Sequence, residues 1–545
     1  MTIKNATFNP QERVDALLDE YGSAGASAAY LLCDRHDPKA VAYTIVSPDL
    51  SSVAVTYGEL RRESERLAAS FYAIGIRPGD RIATLMGKSR TFLVVLQAIW
   101  RLGAVHVPLF TAFAAPAISM RLNASATKLV LCDDDQHSKL IDAEVSCQVI
   151  SVGANATGEM TYASLLKLDH PGVVAAALGG DAPLIQIYTS GTTGKPKGVI
   201  VPQRALASFY GYMEFGLGVV PGDVFWNGAD PGWAYGLYFG VIGTFLTGAN
   251  SLLLQGSFAA DTTYAILERY KVTNFAAAPT VYRSLRASSA LVPQGLALRR
   301  ASSAGEPLTP DVNEWASANL GVKVHDHYGQ TETGMLICNQ HYPDLSRDLK
   351  SGSMGQSLPG WKAVVLQSSC DEVAPAGELG RVALDLSRSP FNWFAGYVDE
   401  PQKSAEKFSA DGRWYHTGDL ARIDADGDFF FASRDDDVII MAGYRIGPFE
   451  IESVLATHPA IIECSVVAMP DEIRGEVLEA AVVLRQGNSP SSELTQSLQE
   501  WVKKHYAAHA YPRKIHYFES LPKTPSGKVQ RFVIRQQLRE KLLTS

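Results

Sequence analysis

Apolar and polar positions along the chain switch repeatedly between a helical and an extended rhythm. "TYGE" (56 to 59) has the form of a capping box, in which a threonine hydroxyl and a glutamate carboxylate satisfy the first orphan amides of a helix. Leu60, Leu67, Phe71 and Ile74 then fall on one helical face, and Gly75 offers a stop. "RIATLM" (81 to 86) reads as a strand, residues 89 to 102 as a helix closed by Gly103, and "AVHVP" (104 to 108) as a further strand. Strand, helix, strand in this order predicts βαβ units and parallel sheet. "LVLCD", "NSLLLQ", "VTNFAAAP" and "KVHDHYG" continue the rhythm, so the fold class is α/β, with ligands expected where strand ends meet loops. "GLYFGVIGTFLTGA" (236 to 249) is too short to span a bilayer and carries four glycines, which predicts a buried core helix.

The pattern shifts near residue 432. "FASRDDDVI" places three acids after an arginine, and a smaller mixture of strands and helices follows to Ser545. The acids alone read as a solvated turn. The division expected is a large N-terminal domain of several βαβ subdomains, 1–435, and a small α+β domain, 436–545.

Composition narrows the function. A chain of 545 residues suggests about three to four folding units. With 46% hydrophobic and 19% charged residues it buries large cores and is not disordered. A net charge of −8 leaves no basic footprint for nucleic acid or an anionic membrane. Six scattered cysteines without a CxxC pair read as reduced, mostly buried thiols. The N-terminal stretch lacks the apolar core of a secretory signal, no internal period suggests repeats, and the expected location is cytoplasmic without membrane insertion.

Candidate chemistry lies in short stretches. "YTSGTTGKPKGV" (188 to 199) is suited to phosphate but is not the common P-loop. Gly191 and Gly194 are only three apart, and Pro196 disfavours a helix starting at Lys195. A mobile turn between the strands "LIQIYT" and "GVIV" is expected. "SAGEPL" (303 to 308) alone is a routine turn in which Gly305 permits close approach to a flat ring. "HDHYGQTETG" (325 to 334) offers the Tyr328 ring for stacking, the Thr331 hydroxyl, and in Glu332 an oxygen ligand suited to Mg²⁺. His325 and His327, two apart and without an evident third ligand, read as structural and not as a zinc site. "DADGDFFF" (424 to 431) reads as a hairpin, and the Ser-Gly-Lys of "LPKTPSGKVQR" (521 to 531) alone as an exposed loop.

Together these stretches resemble the signature segments of the AMP-forming adenylating enzymes: acyl-CoA synthetases, luciferases and peptide-synthetase adenylation domains. The resemblance runs from residue 188 to residue 531. It implies that Thr189, Ser190, Gly191, Thr192, Thr193, Gly194 and Lys195 handle the β- and γ-phosphates of ATP. Gly305, Glu306 and Pro307 would border adenine, Tyr328 would stack on it, and Thr331 would meet the α-phosphate, with Asp326 and Gln330 as further nucleotide contacts. Glu332 would hold Mg²⁺, and Asp419 the two ribose hydroxyls together with Arg434. Lys528 would enter during adenylation, where a desolvated cation offsets the charge that accumulates as one anion attacks another. Rotation of the small domain about Asp436 would then withdraw Lys528 and bring in Gly443, beside a pantetheine tunnel, and Arg445, on the AMP phosphate. ATP, Mg²⁺ and coenzyme A are the implied cofactor and co-substrates.

"GAVHVPLFTAFAAPAISMRL" and "ADPGWAYG" resemble the acetyl-CoA and medium-chain acyl-CoA synthetase branch. Acetate enzymes carry a tryptophan directly before "QTET"; Gly329 stands there in this chain, and Ala304 is also small. The space implies an acid larger than acetate, each buried methylene contributing about 0.8 kcal/mol. Trp233 and Tyr235 are the expected aromatic walls. The alternatives are an adenylating enzyme that loads a carrier protein, and a non-catalytic homologue, against which Lys528, Glu332 and Asp419 are all present. The acid, its length limit, the oligomeric state and the residues holding the CoA nucleotide are not readable from the sequence.

Overall fold

A computed structural model describes residues 8–153, 160–168, 173–189, 196–256, 258–437, 439–441, 444–471, 475–506, 510–524 and 528–544. The local signals of the sequence act as expected. Thr56 caps helix Tyr57–Ala73: its hydroxyl accepts from the Glu59 amide, and the Glu59 carboxylate accepts from the Thr56 amide at 2.8 Å. Leu60, Leu67 and Phe71 are fully buried, while Ile74 falls at the C-cap and is half-buried. Ser89 caps helix Arg90–Leu102, and Gly103 ends it at φ 76°, a left-handed turn that glycine adopts without strain.

Strands Arg81–Leu85, Val105–Pro108, Leu129–Asp133 and Gln148–Val152 run parallel in a six-stranded sheet. Its far edge is the antiparallel pair Pro183–Thr189 and Lys197–Pro202, the two strands expected on either side of the phosphate loop. A nine-stranded sheet places Val324–Gln330, Arg300–Ala304, Asn274–Ala277, Val224–Asn227, Asn250–Leu254 and Val41–Val46 side by side and parallel, with antiparallel strands at both edges. The C-terminal ends of these strands therefore line up along one rim, where an α/β fold binds its ligands. The 236–249 segment is a buried core element: a π-helical turn, Gly236–Ile242, continues as helix Gly243–Thr247. Gly243 serves packing, because a Cβ there would run into Met213. Among the described residues no helix is long and apolar enough to cross a membrane.

An antiparallel sheet of Ala363–Leu366, Gly380–Asp385, Trp414–Ile423 and Phe429–Arg434 completes this part of the chain. The expected hairpin at 424 to 428 joins its last two strands, with Lys350 gripping Asp424, Asp426 and Asp428. After the turn Asp435–Asp437 a separate core begins, from Ile439 to Leu538, built by a five-stranded sheet and helices Pro448–Ala456, Ser492–His505 and Arg531–Thr544. Phe431 packs edge-on against Phe449 at 5.9 Å, and Arg422 pairs with Glu450 at 2.6 Å across the junction.

Candidate active site

Strand Val324–Gln330 is the spine of the site, because its pleat sends alternate side chains to opposite faces. Tyr328 donates to Asp419 Oδ2 at 2.5 Å, and Gln330 Nε2 donates to the same oxygen at 2.8 Å. Both donors fall on Oδ2, so Oδ1 keeps its acceptor sites. Gln330 is itself fixed, since its amide also donates to the Thr417 carbonyl and its oxygen accepts from the Tyr415 hydroxyl. Arg434 stands opposite Asp419 in the strand register. Burial pushes the Asp419 carboxyl up from the usual carboxylate range, and Arg434, the Tyr328 hydroxyl and Lys407 pull it back toward the charged form.

Glu332 is buried one short turn beyond this strand and accepts from the Tyr397 hydroxyl at 2.7 Å. The Lys197 ammonium lies 4.4 Å from the Tyr397 ring centre, a cation–π contact. Lys407 donates to the carbonyls of Thr417 at 2.9 Å and His416 at 3.3 Å. Burial pushes its ammonium down from the usual lysine range, Glu332 and Asp419 raise it, and Lys197 and Arg434 lower it. Three cations thus face two carboxylates, a balance suited to an anionic nucleotide. Lys197, Tyr397 and Lys407 are site residues that sequence reading did not single out. Lys197 was visible in the quoted loop; Tyr397 and Lys407 lie in a stretch with no pattern of its own.

Other expected residues take more structural parts. Gly305 adopts φ +99° with open space where a Cβ would stand, as close approach to a ring requires. The Glu306 side chain is engaged: its carboxylate is paired with Arg283 at 2.5 Å and accepts from the Thr280 hydroxyl. Asp326 is enclosed, accepting from the Ser303 hydroxyl and the Leu308 amide at 3.2 Å each, and burial pushes it up to about 7. Thr331 accepts at its carbonyl from the Tyr238 hydroxyl.

The acyl-side residues bring one correction. Ala304 is buried beside His327 in the strand register, and Trp233 packs on Phe110 and Phe113 at 5.2 and 5.5 Å. Tyr235 is half-buried, its hydroxyl 3.0 Å from that of Tyr212. Gly329, however, does not leave an acyl-sized vacancy. A Cβ there would collide with the Gly334 carbonyl and lie 2.7 Å from Met335 Cα, on the neighbouring strand. The register shift between Tyr328 and Gly329 accompanies this close approach, so any side chain at 329 first requires the backbone here to move.

The premise for setting aside a metal at the histidines also changes. His341 joins His325 and His327, bringing three imidazole nitrogens within 4.8 Å of one another. The rings of His325 and His341 stack at 3.6 Å and 15°, so their in-plane lone pairs lie in nearly parallel planes and do not converge. Both nitrogens of His327 are engaged, by the Tyr212 hydroxyl at 2.8 Å and the Asn339 carbonyl at 3.0 Å. The trio is a hydrogen-bonded packing unit.

Ser190, Gly191, Thr192, Thr193, Gly194, Lys195 and Gly443 lie outside the described residues, as do the side chains of Asp436 and Arg445. The loop's stems are fixed, with Thr189 opposite Lys197 in the hairpin. Arg445 lies on strand Tyr444–Ile446 and Asp436 in the turn Asp435–Asp437. Lys528 is exposed; its amide donates to the Thr524 hydroxyl and its carbonyl accepts from the Thr524 amide.

These groupings have counterparts in known proteins. Residues 33–398 match the "AMP-binding enzyme" family and residues 450–528 its C-terminal domain. The chain is 34% identical to the acetyl-coenzyme A synthetase of Bacillus subtilis (strain 168), over 93% of this chain and 90% of that one. It is 35% identical to the human mitochondrial acyl-coenzyme A synthetase ACSM4, over 85% of this chain and 80% of that one. Among solved structures, a Brucella canis acyl-CoA synthetase is 38% identical with a TM-score of 0.75 and 98% of both chains covered. ATP-bound MatB from Rhodopseudomonas palustris is 27% identical with a TM-score of 0.83, over 95% of this chain and 99% of that one. With both matched segments in order along the chain and relatives at about 34% identity over most of it, the chain belongs to the AMP-binding enzyme family, as an AMP-forming acyl-CoA synthetase.

Proposed function

We propose that this enzyme activates a carboxylic acid larger than acetate, in a cytoplasmic setting, and that its division of labour follows the boundary near Asp436. In the first half-reaction the acid's carboxylate attacks the α-phosphate of ATP, forming acyl-AMP and releasing pyrophosphate. In the second, the CoA thiol displaces AMP from the acyl carbon and leaves as thioester. Asp419 and Arg434 hold the ribose, and Tyr328 and Gln330 aim the Asp419 carboxylate. Lys197 and Lys407 supply positive charge beside the phosphates. Glu332 retains one carboxylate oxygen beyond the Tyr397 bond, an oxygen donor that fits Mg²⁺. Mg²⁺ held there would neutralise phosphate charge.

The observation that carries this reading is the doubly anchored Asp419 carboxylate facing Arg434, with Glu332 and two lysines around it. Small, buried Ala304 supports the larger acid; Gly329 no longer does. The exposed position of Lys528 supports a small domain that delivers it and then withdraws it, with Gly443 and Arg445 serving the second state. A panel of C2 to C8 and aromatic acids tests the reading by acid-dependent pyrophosphate release. Release that depends on acid and leads to CoA-dependent AMP formation is expected, with acetate among the poorer acids. Adenylate formation without CoA turnover would replace it with a carrier-protein loading enzyme.

A further inference from the structure

Tyr235, which the family resemblance sets on the acyl side, begins a hydrogen-bond chain whose proton direction can be assigned. His327 Nε2 lies 3.0 Å from the Asn339 carbonyl, which can only accept, so Nε2 carries the ring proton. Burial pushes the His327 imidazolium down to about 3, so the ring is neutral and Nδ1 is an acceptor. The Tyr212 hydroxyl, 2.8 Å from Nδ1, must then donate to it. With its single proton spent, Tyr212 accepts from the Tyr235 hydroxyl at 3.0 Å. The chain therefore runs in one direction, from Tyr235 to Tyr212 to His327 to Asn339, and its outer oxygen is left with lone pairs and no proton to give.

Position connects that oxygen with the acyl side. His327 is level with Ala304 in the parallel register, and Tyr212, fully buried, bridges from His327 to the half-buried Tyr235. Two residues before Tyr235, the Trp233 Nε1–H is buried without an acceptor among the described residues. The Tyr235 oxygen is thus an acceptor, the complement of a hydroxyl proton, on a segment that also carries an unspent indole donor.

Resting on the synthetase reading above, we propose that the acyl pocket selects acids carrying a hydroxyl along the chain or ring, with Tyr235 Oη accepting the hydroxyl proton. A plain alkyl or aryl acid leaves the lone pairs of that oxygen unused beyond its bond to Tyr212. A keto acid sets a second acceptor against it. Both are disfavoured relative to the hydroxy acid, which alone gains the extra hydrogen bond.

The test is a series of matched acids of four to eight carbons, unsubstituted, hydroxylated or keto at the same carbon, assayed by kcat/KM for CoA-dependent AMP formation. At one position or more, the hydroxy acid is expected to exceed its plain and keto partners by about tenfold. Tyr235→Phe should bring the hydroxy-to-plain ratio near one. Tyr212→Phe, which frees the Tyr235 proton to turn outward, should move preference from the hydroxy toward the keto acid. No hydroxyl preference at any carbon, or one that persists in Tyr235→Phe, would overturn the proposal and leave the synthetase reading standing. Absence of turnover with every acid would overturn both.

Discussion

The Asp419 carboxylate and the Lys528 ammonium belong to one proposed site and are held in opposite ways. Asp419 is buried, aimed by two donors of which Gln330 is itself fixed by Thr417 and Tyr415, and balanced by Arg434 and Lys407. Lys528 stands exposed on a small domain with its own core; the turn Asp435–Asp437, the Phe431–Phe449 contact and the Arg422–Glu450 pair are among the described residues at its junction with the rest. The difference teaches where preorganisation is needed. A nucleotide present through both half-reactions rewards a rigid binding floor, and fixed dipoles need no reorganisation during the reaction. A charge wanted in only one step is better placed on an element that moves.

The sharpest way to break that contrast is to remove its fixed half. Asp419→Ala should lower kcat/KM by about 10³-fold in both half-reactions, since two ribose hydrogen bonds to a charged acceptor contribute about 1.5 to 3 kcal/mol each. Pyrophosphate release and the conversion of supplied acyl-AMP with CoA measure the two halves separately. Damage confined to one would remove Asp419 from the permanent floor.

A smaller loss is expected at Lys407. Lys407→Met should cost about ten- to hundredfold, mainly through the KM for ATP, because Glu332 and Asp419 lose one of three nearby cations. Without that cation the carboxyl of Asp419 holds its proton to higher pH, so the acidic limb of the kcat/KM profile should move upward. An unmoved limb would make Lys407 a support for the Thr417 backbone alone.

Gly329→Ala separates floor from pocket. Its Cβ meets the backbone of Gly334 and Met335, so activity should fall by a similar factor, a few-fold to about tenfold, for short and long acids alike, with a lower Tm. Selective loss of long acids would restore the pocket role. The mildest contrast is acid stability. His325, His327 and His341 are held below the ordinary histidine range by burial, His325 at about 4 and His327 at about 3. Groups depressed in the folded state contribute stability that is present above the unfolded value near 6.5 and lost as pH falls toward the folded values. His458 is the corresponding depressed histidine of the small domain. Asp326, raised to about 7, gains stability over the same window and offsets part of this, but the three histidines outweigh it, so hydrogen exchange between pH 6.5 and 4 should show the large domain losing protection first.

Much of this was readable in advance, for physical reasons that differ by residue. The capping box at Thr56, the Gly103 stop and the hairpin at 424 to 428 depend on neighbours in sequence, so local chemistry determines them. Asp419, Glu332 and Tyr328 were recognisable because each sits in a dense motif. Tyr397 and Lys407 were not, because what places them beside Glu332 and Asp419 is the packing of distant segments. His341 completed a trio for the same reason, fourteen residues beyond His327 along the chain. Gly329 misled in a different way: its small size was visible, but the direction of its missing side chain depends on a strand shift that composition does not encode.

The central claim is that a rigid nucleotide floor and a delivered lysine divide one site between two half-reactions. Lys528→Ala, assayed in each half-reaction separately, tests it most directly. The account predicts a loss of about 10²- to 10³-fold in acyl-AMP formation, the range for removing one transition-state charge partner, while supplied acyl-AMP plus CoA is converted at nearly the wild-type rate. Equal loss in both half-reactions would contradict it.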